Sequence, residues 1–326
     1  YNMNLKIKKR LRNILNRGKF KKYYEFASKI KMNKNKKKSD KEYIISRTFE
    51  NTGIKPNLDN PEMLFEKVLW LKCYYRNPLM TSCTDKYEVK NYIEEKGYSH
   101  ILIESYGVFN KFEDINFSEL PNKVFIKSTH TSGVNLVFEK NKTNYNKAKR
   151  RFNKSLETNY FYNSREWNYK NIKPRLIVEP YLDMNEYLDY KFFVINGKVE
   201  YFAVVKDIND EKGMQLPNSK FNLYYPDLSV FKGNVGRPKF EDKNFVFSEY
   251  INEMILIAED LSQHFPYCRV DFLVSDSDFI FGEMTFYPTG GNMIIKPLNL
   301  DRYYGDKLNL KSIKSEHIKM SKVQDY

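Results

Sequence analysis

The sequence lacks the long apolar runs, paired cysteines and clustered histidines that identify several classes of protein. It contains no run of about 18 or more apolar residues, so no transmembrane helix is expected. No apolar leader with a cleavage site opens the chain, which predicts a cytoplasmic protein. The cysteines, Cys73, Cys83 and Cys268, have no metal-ligand spacing and are expected to be reduced thiols. The four histidines form no metal-binding set.

Two short motifs that would assign the chemistry directly are also absent. Neither the Gly-x-x-x-x-Gly-Lys-Ser/Thr order of a P-loop nor the Gly-x-Ser-x-Gly nucleophile elbow occurs. With 326 residues, the chain can bury a large core and is expected to form one large lobe or two to three smaller ones. A functional site must therefore be assembled from side chains on separate elements.

Positive charge is concentrated in residues 1–41, which contain 16 lysines and arginines and only two acids, a net charge of +14. The rest of the chain is neutral overall, which argues against a nucleic-acid-binding body and predicts no nucleic-acid partner. Ile7, Leu11, Ile14 and Leu15 fall near helical spacing among these charges. Such a basic amphipathic helix can bind an anionic membrane, here at the inner face of the cell membrane. A solvated tail and a helix packed on the body are the alternatives.

Apolar periodicity and turn residues predict an α+β fold with several antiparallel hairpins, and not a βαβ series. The predicted helices cover residues 61–75, 86–96, 144–158 and 248–264. The predicted strands cover residues 101–108, 124–127, 134–138, 176–179, 191–195, 199–205, 267–274 and 279–286. Asn196 and Gly197 separate two of these strands with a strong hairpin-turn signal.

The most informative segment is a pair of acidic residues on two neighbouring strand patterns. Alternation sends Arg269 and Asp271 to one face of the first strand, and Phe281, Glu283 and Thr285 to one face of the second. A short hairpin would bring Asp271 and Glu283 together, with Arg269 beside them. Two carboxylates in this arrangement suit Mg²⁺, which is commonly held by one or two carboxylates plus substrate phosphates. An edge hairpin with a surface ion pair is the structural alternative.

Two lysines stand where they could meet phosphate groups. Lys127 ends a strand pattern just before the polar loop 128–133, whose backbone N–H groups could bind phosphate oxygens. His130 lies in this loop and is the one histidine with a candidate role. Lys86 stands at the start of a predicted helix. Each lysine, taken alone, could equally be an ordinary surface residue.

Two further segments could contact the rest of a nucleotide. Glu179 precedes Pro180 at a strand break, where unpaired backbone groups could hydrogen-bond a purine edge. Asp189 and Lys191, at the start of the next strand, could supply a sugar-hydroxyl acceptor and a phosphate contact. The alternatives are an ordinary strand end with a buried glutamate and a cross-strand ion pair.

Taken in order, these features resemble the ATP-grasp superfamily, and more closely the TupA-like ATP-grasp family, which is associated with teichuronopeptide and other surface-polysaccharide biosynthesis. The resemblance covers roughly residues 40–295 and excludes the basic tail. Its motifs are Asp85-Lys86, Phe125-Ile-Lys127, Thr129-His-Thr-Ser-Gly133, Val178-Glu-Pro-Tyr-Leu182, Asp189-Tyr-Lys191, Arg269-Val-Asp271 and Glu283-Met-Thr285.

The resemblance implies an α+β, ATP-grasp fold in which two α+β lobes hold ATP between them, with a helical N-terminal extension. The expected domains are, in order, a basic tail at 1–41, a helical region at 42–84, a first lobe with the phosphate loop at 85–175, and a second lobe with the magnesium-binding hairpin at 176–326.

The resemblance also implies roles for residues at the phosphates. Lys86 and Lys127 would contact the ATP phosphates, together with the loop residues His130, Ser132 and Gly133. Lys127 is further expected to act in catalysis.

At the nucleoside end, the resemblance implies contacts to adenine and ribose. Glu179 would meet the adenine through its side chain, and Tyr181 and Leu182 through their backbone. Asp189 would bind the ribose, with Glu186 as a competing choice.

At the metal, the resemblance implies that Asp271 and Glu283 hold Mg²⁺ between the phosphates. Thr285 stands where many ATP-grasp enzymes have asparagine, and its hydroxyl can still ligate Mg²⁺. Arg269 would stabilise the acyl phosphate or the oxyanion of a tetrahedral intermediate, and Lys191 would add a phosphate contact.

The implied activity is that of an ATP- and Mg²⁺-dependent carboxylate–amine ligase that modifies a bacterial surface polysaccharide or its precursor. Its substrates would be an amino acid amine and a sugar acid. A glycosyltransferase is an alternative, because Asp276 and Asp278 have Asp-x-Asp spacing. An ATP-dependent phosphotransferase and a non-catalytic, membrane-tethered nucleotide-binding module are the others.

Overall fold

The structure, a computed structural model, describes residues 38–206, 219–242 and 245–319. The helices of this part of the chain are α1 (Asp40–Thr52), α2 (Leu64–Tyr74), α3 (Leu79–Thr84), α4 (Glu88–Glu95), α5 (Tyr145–Leu156), α6 (Phe161–Ser164), α7 (Ile251–Ser262) and α8 (Leu298–Lys307). The strands are β1 (Gly107–Phe109), β2 (Lys123–Ser128), β3 (Asn135–Glu139), β4 (Leu176–Pro180), β5 (Leu188–Ile195), β6 (Lys198–Lys206), β7 (Lys220–Tyr224), β8 (Tyr267–Val274) and β9 (Phe279–Thr285).

The strands form two separate sheets in which every neighbouring pair is antiparallel. The first sheet has the order β1-β4-β2-β3, and the second has the order β7-β6-β5-β8-β9. The predicted α+β class with antiparallel hairpins is therefore confirmed. Asn196 and Gly197 form the turn between β5 and β6 with positive φ angles of 49° and 76°, as a two-residue hairpin turn requires.

Each sheet has its own apolar core. The first sheet packs Val124, Ile126 and Val178 against Phe112 and Phe152. The second sheet contributes to a larger core that it shares with α7 and with one side of α2. Burial of both sides of the central strand β5 explains why its sequence is almost continuously apolar.

Helix α2 is buried on two sides. Leu64, Val68 and Leu71 belong to the large core of the second sheet, whereas Phe65 and Leu69 pack in a smaller core with α1. Apolar side chains therefore surround most of the helix, which matches a sequence that is charged only at Glu66, Lys67 and Lys72. The helix is fixed in place between the N-terminal region and the second sheet.

The hairpin of β8 and β9 contains a β-bulge that alternation did not predict. Asp271 pairs with Glu283, but the next residue, Phe272, pairs with Phe281, so Gly282 is the extra residue. Phe281 is consequently buried against Phe272 in the core, and the expectation that it shares the face of Glu283 is wrong. The bulge therefore turns the side chain of Phe281 into the core, while Asp271 and Glu283 remain paired.

No helix among the described residues is long and apolar enough to cross a membrane. The predicted amphipathic helix of the basic tail lies outside the described residues, as does most of the tail itself.

The bulge generates a prediction for Gly282→Ala. A Cβ at this position would lie 2.9 Å from the backbone oxygen of Asp271, closer than real Cβ atoms approach. We expect the substitution to lower the free energy of unfolding by about 1–3 kcal/mol, because the backbone must shift to relieve the overlap. Urea denaturation measures this change. Asp276→Asn, at the exposed turn of the same hairpin, is the control and should leave stability unchanged; equal stability of Gly282→Ala would contradict the bulge geometry.

Candidate active site

The central strands of the second sheet present a row of charged side chains on one face. The register places Lys191 of β5 opposite Asp271 of β8, and Asp271 opposite Glu283 of β9. Residues two positions apart along a strand share a face. The same face therefore also carries Asp189, Arg269 and Thr285.

Asp271 is the centre of a hydrogen-bonded network on this face. Its Oδ1 accepts from Nε of Arg269 at 2.6 Å, and its Oδ2 accepts from Nη2 of Arg269 at 2.5 Å. Nζ of Lys191 donates to the same Oδ2 at 2.6 Å and lies 2.5 Å from Oδ2 of Asp189. Nη2 of Arg269 also donates to Oε1 of Glu283 at 2.9 Å. The structure thus brings the predicted acidic pair and the predicted arginine together.

Burial and charge act in opposite directions on this network. Burial would raise the pKa of Asp271, but attraction by Arg269 and Lys191 outweighs it and holds this pKa below its usual range. Burial raises the pKa of Asp189 to about 6, although Lys191 lies beside it. Asp271 is therefore ionised at neutral pH, and Asp189 takes up a proton before Asp271 as the pH falls.

The oxygen atoms on this face fit the requirements of magnesium. Oγ1 of Thr285 donates to Oε1 of Glu283 at 2.9 Å, so this hydroxyl lies at the same carboxylate as Arg269. Mg²⁺ prefers hard oxygen ligands and usually keeps several sites for waters and substrate phosphates. Within the described ranges, no group of three or more histidines, cysteines, aspartates or glutamates could hold a metal alone. Phosphate oxygens would therefore have to complete the coordination of a metal held by Asp271 and Glu283.

The first sheet carries a second buried carboxylate between two lysines. Oε2 of Glu179 lies 2.5 Å from Nζ of Lys127, and Oε1 lies 3.1 Å from Nζ of Lys90. Strand pairing fixes this contact, because β2 and β4 place Phe125 opposite Glu179 and Lys127 two residues further on. Burial would raise the pKa of Glu179, but the two lysines hold it below its usual range.

Lys90 was not among the predicted site residues. It lies on α4, four residues after Lys86, and also donates to the backbone oxygen of Ile103 at 2.7 Å. The spacing of one helical turn from Lys86 is the signal that could have identified it.

The phosphate loop exposes its tip and buries its stem. Thr129, His130 and Thr131 are buried, whereas Ser132 and Gly133 are exposed, and Gly133 has a φ of 80°. Nε2 of His130 is 2.8 Å from the backbone oxygen of Ser155, so its ring is directed toward α5. Burial lowers the pKa of His130, which keeps the ring neutral. The loop therefore offers Ser132 and Gly133, more than the histidine ring, to a ligand.

The remaining nucleoside candidates follow the end of β4. Nζ of Lys123 lies 3.4 Å above the ring centre of Tyr181. Tyr181 and Leu182 are half-buried, and Glu186 is exposed in the connection to β5. Asp189 is buried and paired with Lys191 on the face that carries Asp271 and Glu283. Of the two predicted ribose carboxylates, Glu186 is the one that is free to meet a solvent-facing sugar.

Lys86 links the two sheets electrostatically. Its Nζ donates to the backbone oxygen of Thr131 in the phosphate loop at 2.6 Å. Burial lowers the pKa of Lys86, and the nearby carboxylate of Glu283 opposes this effect, while Lys127 reinforces it. A carboxylate of the second sheet and a lysine of the first sheet therefore both act on the ammonium group of Lys86.

The Glu179 ion pairs generate a stability prediction. Glu179→Gln leaves Lys127 and Lys90 without their buried counter-charge, so we expect the free energy of unfolding near neutral pH to fall by about 3 kcal/mol. Because the folded-state pKa of Glu179 is depressed, its contribution is present above the ordinary value of 4.5 and is lost as pH falls below it. Urea denaturation of the wild type and of Glu179→Gln, from neutral pH to below this value, measures the effect. The difference in the free energy of unfolding should become smaller in acid. The exposed Glu95→Gln is the control, and a pH-independent difference would contradict the ion-pair origin.

Comparison with known proteins places this arrangement in a family. The family model described as TupA-like ATPgrasp matches residues 66–309, well over half of the chain. A search of curated proteins found no match.

Solved structures of two ligases show some similarity to this chain. D-alanine–D-alanine ligase from Bacillus anthracis, complexed with ATP, is 16% identical over 63% of this chain and 55% of that one, with a TM-score of 0.37. The ATP-grasp ligase PsnB, complexed with a precursor variant, Mg and ADP, is 11% identical over 72% and 60%, with a TM-score of 0.41. The chain spans 55–60% of the length of these two proteins. On the family match, the chain belongs to the TupA-like ATP-grasp family and has the predicted α+β, ATP-grasp fold.

Proposed function

We propose that this protein is an ATP- and Mg²⁺-dependent ligase that joins a carboxylate to an amine through an acyl phosphate. The observation that carries the proposal is the pairing of Asp271 with Glu283, with Arg269 bound to both carboxylates and Lys86 within electrostatic range of Glu283. Carboxylates for a metal and cations for phosphates are the two components that phosphoryl transfer requires. Carboxylates and cations that would suit these roles lie on one face of the second sheet, in a chain of the TupA-like ATP-grasp family.

ATP would lie between the two sheets. Lys86 and Lys127 would contact its phosphates, and the exposed loop tip at Ser132 and Gly133 would add backbone N–H groups. Glu179, Tyr181 and Leu182 are proposed at the adenine, and Glu186 at the ribose. Lys191 would supply a further positive charge beside the phosphates.

Asp271 and Glu283 would hold Mg²⁺, with Thr285 as an additional oxygen ligand. When bound, the metal supplies charge neutralisation at the transferring phosphoryl group. Asp271 is suited to this role because Arg269 and Lys191 keep it ionised.

In the reaction, an oxygen of the acceptor carboxylate bonds to the γ-phosphorus, and the bond to the β-phosphate oxygen breaks, so ADP leaves. The amine nitrogen then bonds to the carbonyl carbon, and phosphate departs with the electron pair of the broken carbon–oxygen bond. Arg269 is positioned beside the metal carboxylates to stabilise negative charge on the acyl phosphate or on the oxyanion, and Lys127 assists at the phosphates. One such preorganised donor contributes about 3–4 kcal/mol to transition-state stabilisation.

The proposed substrates are an amino acid amine and the carboxylate of a sugar acid, within a bacterial surface polysaccharide or its precursor. The association of this family with surface-polysaccharide biosynthesis supports the assignment. The product would be an amide between the sugar acid and the amino acid.

The nucleotide site is tested by calorimetric titration with a non-hydrolysable ATP analogue, with and without Mg²⁺. We expect binding that requires Mg²⁺ and that weakens by at least about tenfold, ~1.4 kcal/mol, in Asp271→Asn and in the half-exposed Glu283→Gln. Asp276→Asn combined with Asp278→Asn is the control, because both residues are exposed in the hairpin turn. Mg²⁺-dependent binding that survives both metal-site variants would refute the site. Binding of a sugar nucleotide in place of ATP would favour a glycosyltransferase.

We also propose that the basic tail attaches the protein to an anionic membrane surface. Residues 1–41 carry a net charge of +14, and about 1 kcal/mol per basic residue is available near an anionic surface. We expect the full chain to sediment with phosphatidylglycerol vesicles but not with phosphatidylcholine vesicles, and to be released by high salt. A chain without residues 1–37 is the control and should remain unbound; equal binding of both chains would assign the interaction to another surface.

A further inference from the structure

One arginine outside the predicted site binds the residues on both sides of Lys86. Nη2 of Arg175 donates to Oδ2 of Asp85 at 2.9 Å and to Oε1 of Glu88 at 2.7 Å. Its guanidinium carbon lies 4.8 Å from the ring centre of Tyr87, within the range of a cation–π contact. Arg175 therefore contacts the residue before the predicted phosphate lysine and the two residues after it.

The carboxylate of Asp85 joins this arginine to the start of helix α4. Asp85 is only 2% exposed, and a buried carboxylate needs a cation and hydrogen bonds in place of the water it has lost. Arg175 supplies the cation at Oδ2, and the backbone N–H of Tyr87 donates to Oδ1 at 2.9 Å. The backbone N–H of Val89 donates to the backbone oxygen of Asp85 at 3.0 Å. The chain is thus held on both sides of Lys86.

Backbone hydrogen bonds connect the same segments to the stem of the phosphate loop. The N–H of Thr129 donates to the backbone oxygen of Arg175 at 2.9 Å, and the N–H of Lys86 donates to the backbone oxygen of Thr129 at 3.3 Å. Nζ of Lys86 donates to the backbone oxygen of Thr131 at 2.6 Å. Lys86 is therefore attached to the loop twice, through its backbone at Thr129 and through its side chain at Thr131.

The side chains of the loop stem do not make this connection. Nε2 of His130 is 2.8 Å from the backbone oxygen of Ser155, so the histidine attaches the stem to α5. Oγ1 of Thr129 and Oγ1 of Thr131 are buried, and neither has a hydrogen-bond partner among the residues that the structure describes. The position of Lys86 relative to the stem therefore depends on the backbone bonds and on the ion pair beside them.

We propose that Arg175 and Asp85 are positioning residues that hold Lys86 and the loop stem in the geometry that binds the phosphates of ATP. This inference rests on the proposed ligase function, in which Lys86 contacts those phosphates. The ion pair acts through Lys86 and does not itself touch the nucleotide. A lysine that is ordered in advance loses less conformational entropy when the ligand arrives, so the ion pair raises the affinity for ATP.

Calorimetric titration with a non-hydrolysable ATP analogue and Mg²⁺ tests this role in a double-mutant cycle. The four proteins are the wild type, Arg175→Met, Lys86→Met and the double variant. We expect Arg175→Met to weaken binding by about tenfold in the wild-type background. In the Lys86→Met background the same substitution should change the affinity by less than about twofold, because the lysine through which the ion pair acts is gone.

Two milder substitutions separate the ion pair from the backbone contact. In Asp85→Asn the side-chain oxygen can still accept from the N–H of Tyr87 but no longer carries a charge, and we expect this variant also to weaken binding. Arg175→Lys keeps the charge without the planar fork, so its affinity should fall between those of Arg175→Met and the wild type. Arg302→Met is the matched control, because Arg302 forms an exposed ion pair with Glu62 at 3.0 Å and should bind as the wild type does.

Urea denaturation shows which variants are folded, and where Arg175→Met is not, Arg175→Lys and Asp85→Asn replace it in the same cycle. An equal loss of affinity with and without Lys86 would overturn the inference and assign the ion pair to the stability of the fold. Unchanged affinity in the Arg175 and Asp85 variants would overturn it as well, while the nucleotide site would stand. A wild type that does not bind the analogue with Mg²⁺ would overturn the proposed nucleotide site and this inference with it.

Discussion

The pairing of Asp271 with Arg269 and Lys191 is the interaction on which the second sheet depends. A buried carboxylate is stable only when cations and hydrogen bonds replace the water it has lost. Arg269 is on the same strand as Asp271, but Lys191 comes from the neighbouring strand β5. A slip of one residue between β5 and β8 would send Lys191 to the opposite face. The buried carboxylate of Asp271 would then lose one of its two cations. The charged network therefore fixes the strand register as well as forming the candidate site.

The first sheet also contains a buried carboxylate that lies between two cations. Glu179 lies between Lys127 of the same sheet and Lys90 of a helix, and its pKa is depressed as that of Asp271 is. In both sheets, cations that would meet phosphates are held in position by a buried carboxylate. This arrangement keeps lysine and arginine side chains ordered before any ligand arrives, which lowers the entropy lost on binding.

Sequence reasoning identified the elements whose signals are local. Alternation and turn residues predicted β8 and β9 almost to the residue, and Asn196-Gly197 predicted the turn between β5 and β6. Sequence alternation did not predict the bulge at Gly282, because Phe281 fits a regular alternation equally well. Only the packing of Phe281 against Phe272 reveals the extra residue.

Charged residues whose burial depends on distant parts of the chain were also missed. Lys72 interrupts an apolar helix and looks like an ordinary exposed position, until α1 and the turn after β9 bury it. Glu166 lies in an irregular segment with no periodicity to interpret. Neither could be connected to Glu283 without the tertiary structure, since more than 100 residues separate each from that strand.

The turn at Gly290 and the charged face of the second sheet differ in how freely their sequences can vary. Lys191, Asp271 and Glu283 stand on paired strands, where a hydrogen-bond ladder fixes their neighbours and a slip of register would move them to the other face. Lys72, Glu166 and Gly290 instead meet where a helix end, an irregular segment and a turn come together, and such segments change in length and sequence more readily. Relatives of this protein can therefore differ around the Gly290 turn while the charged face of the second sheet keeps its geometry.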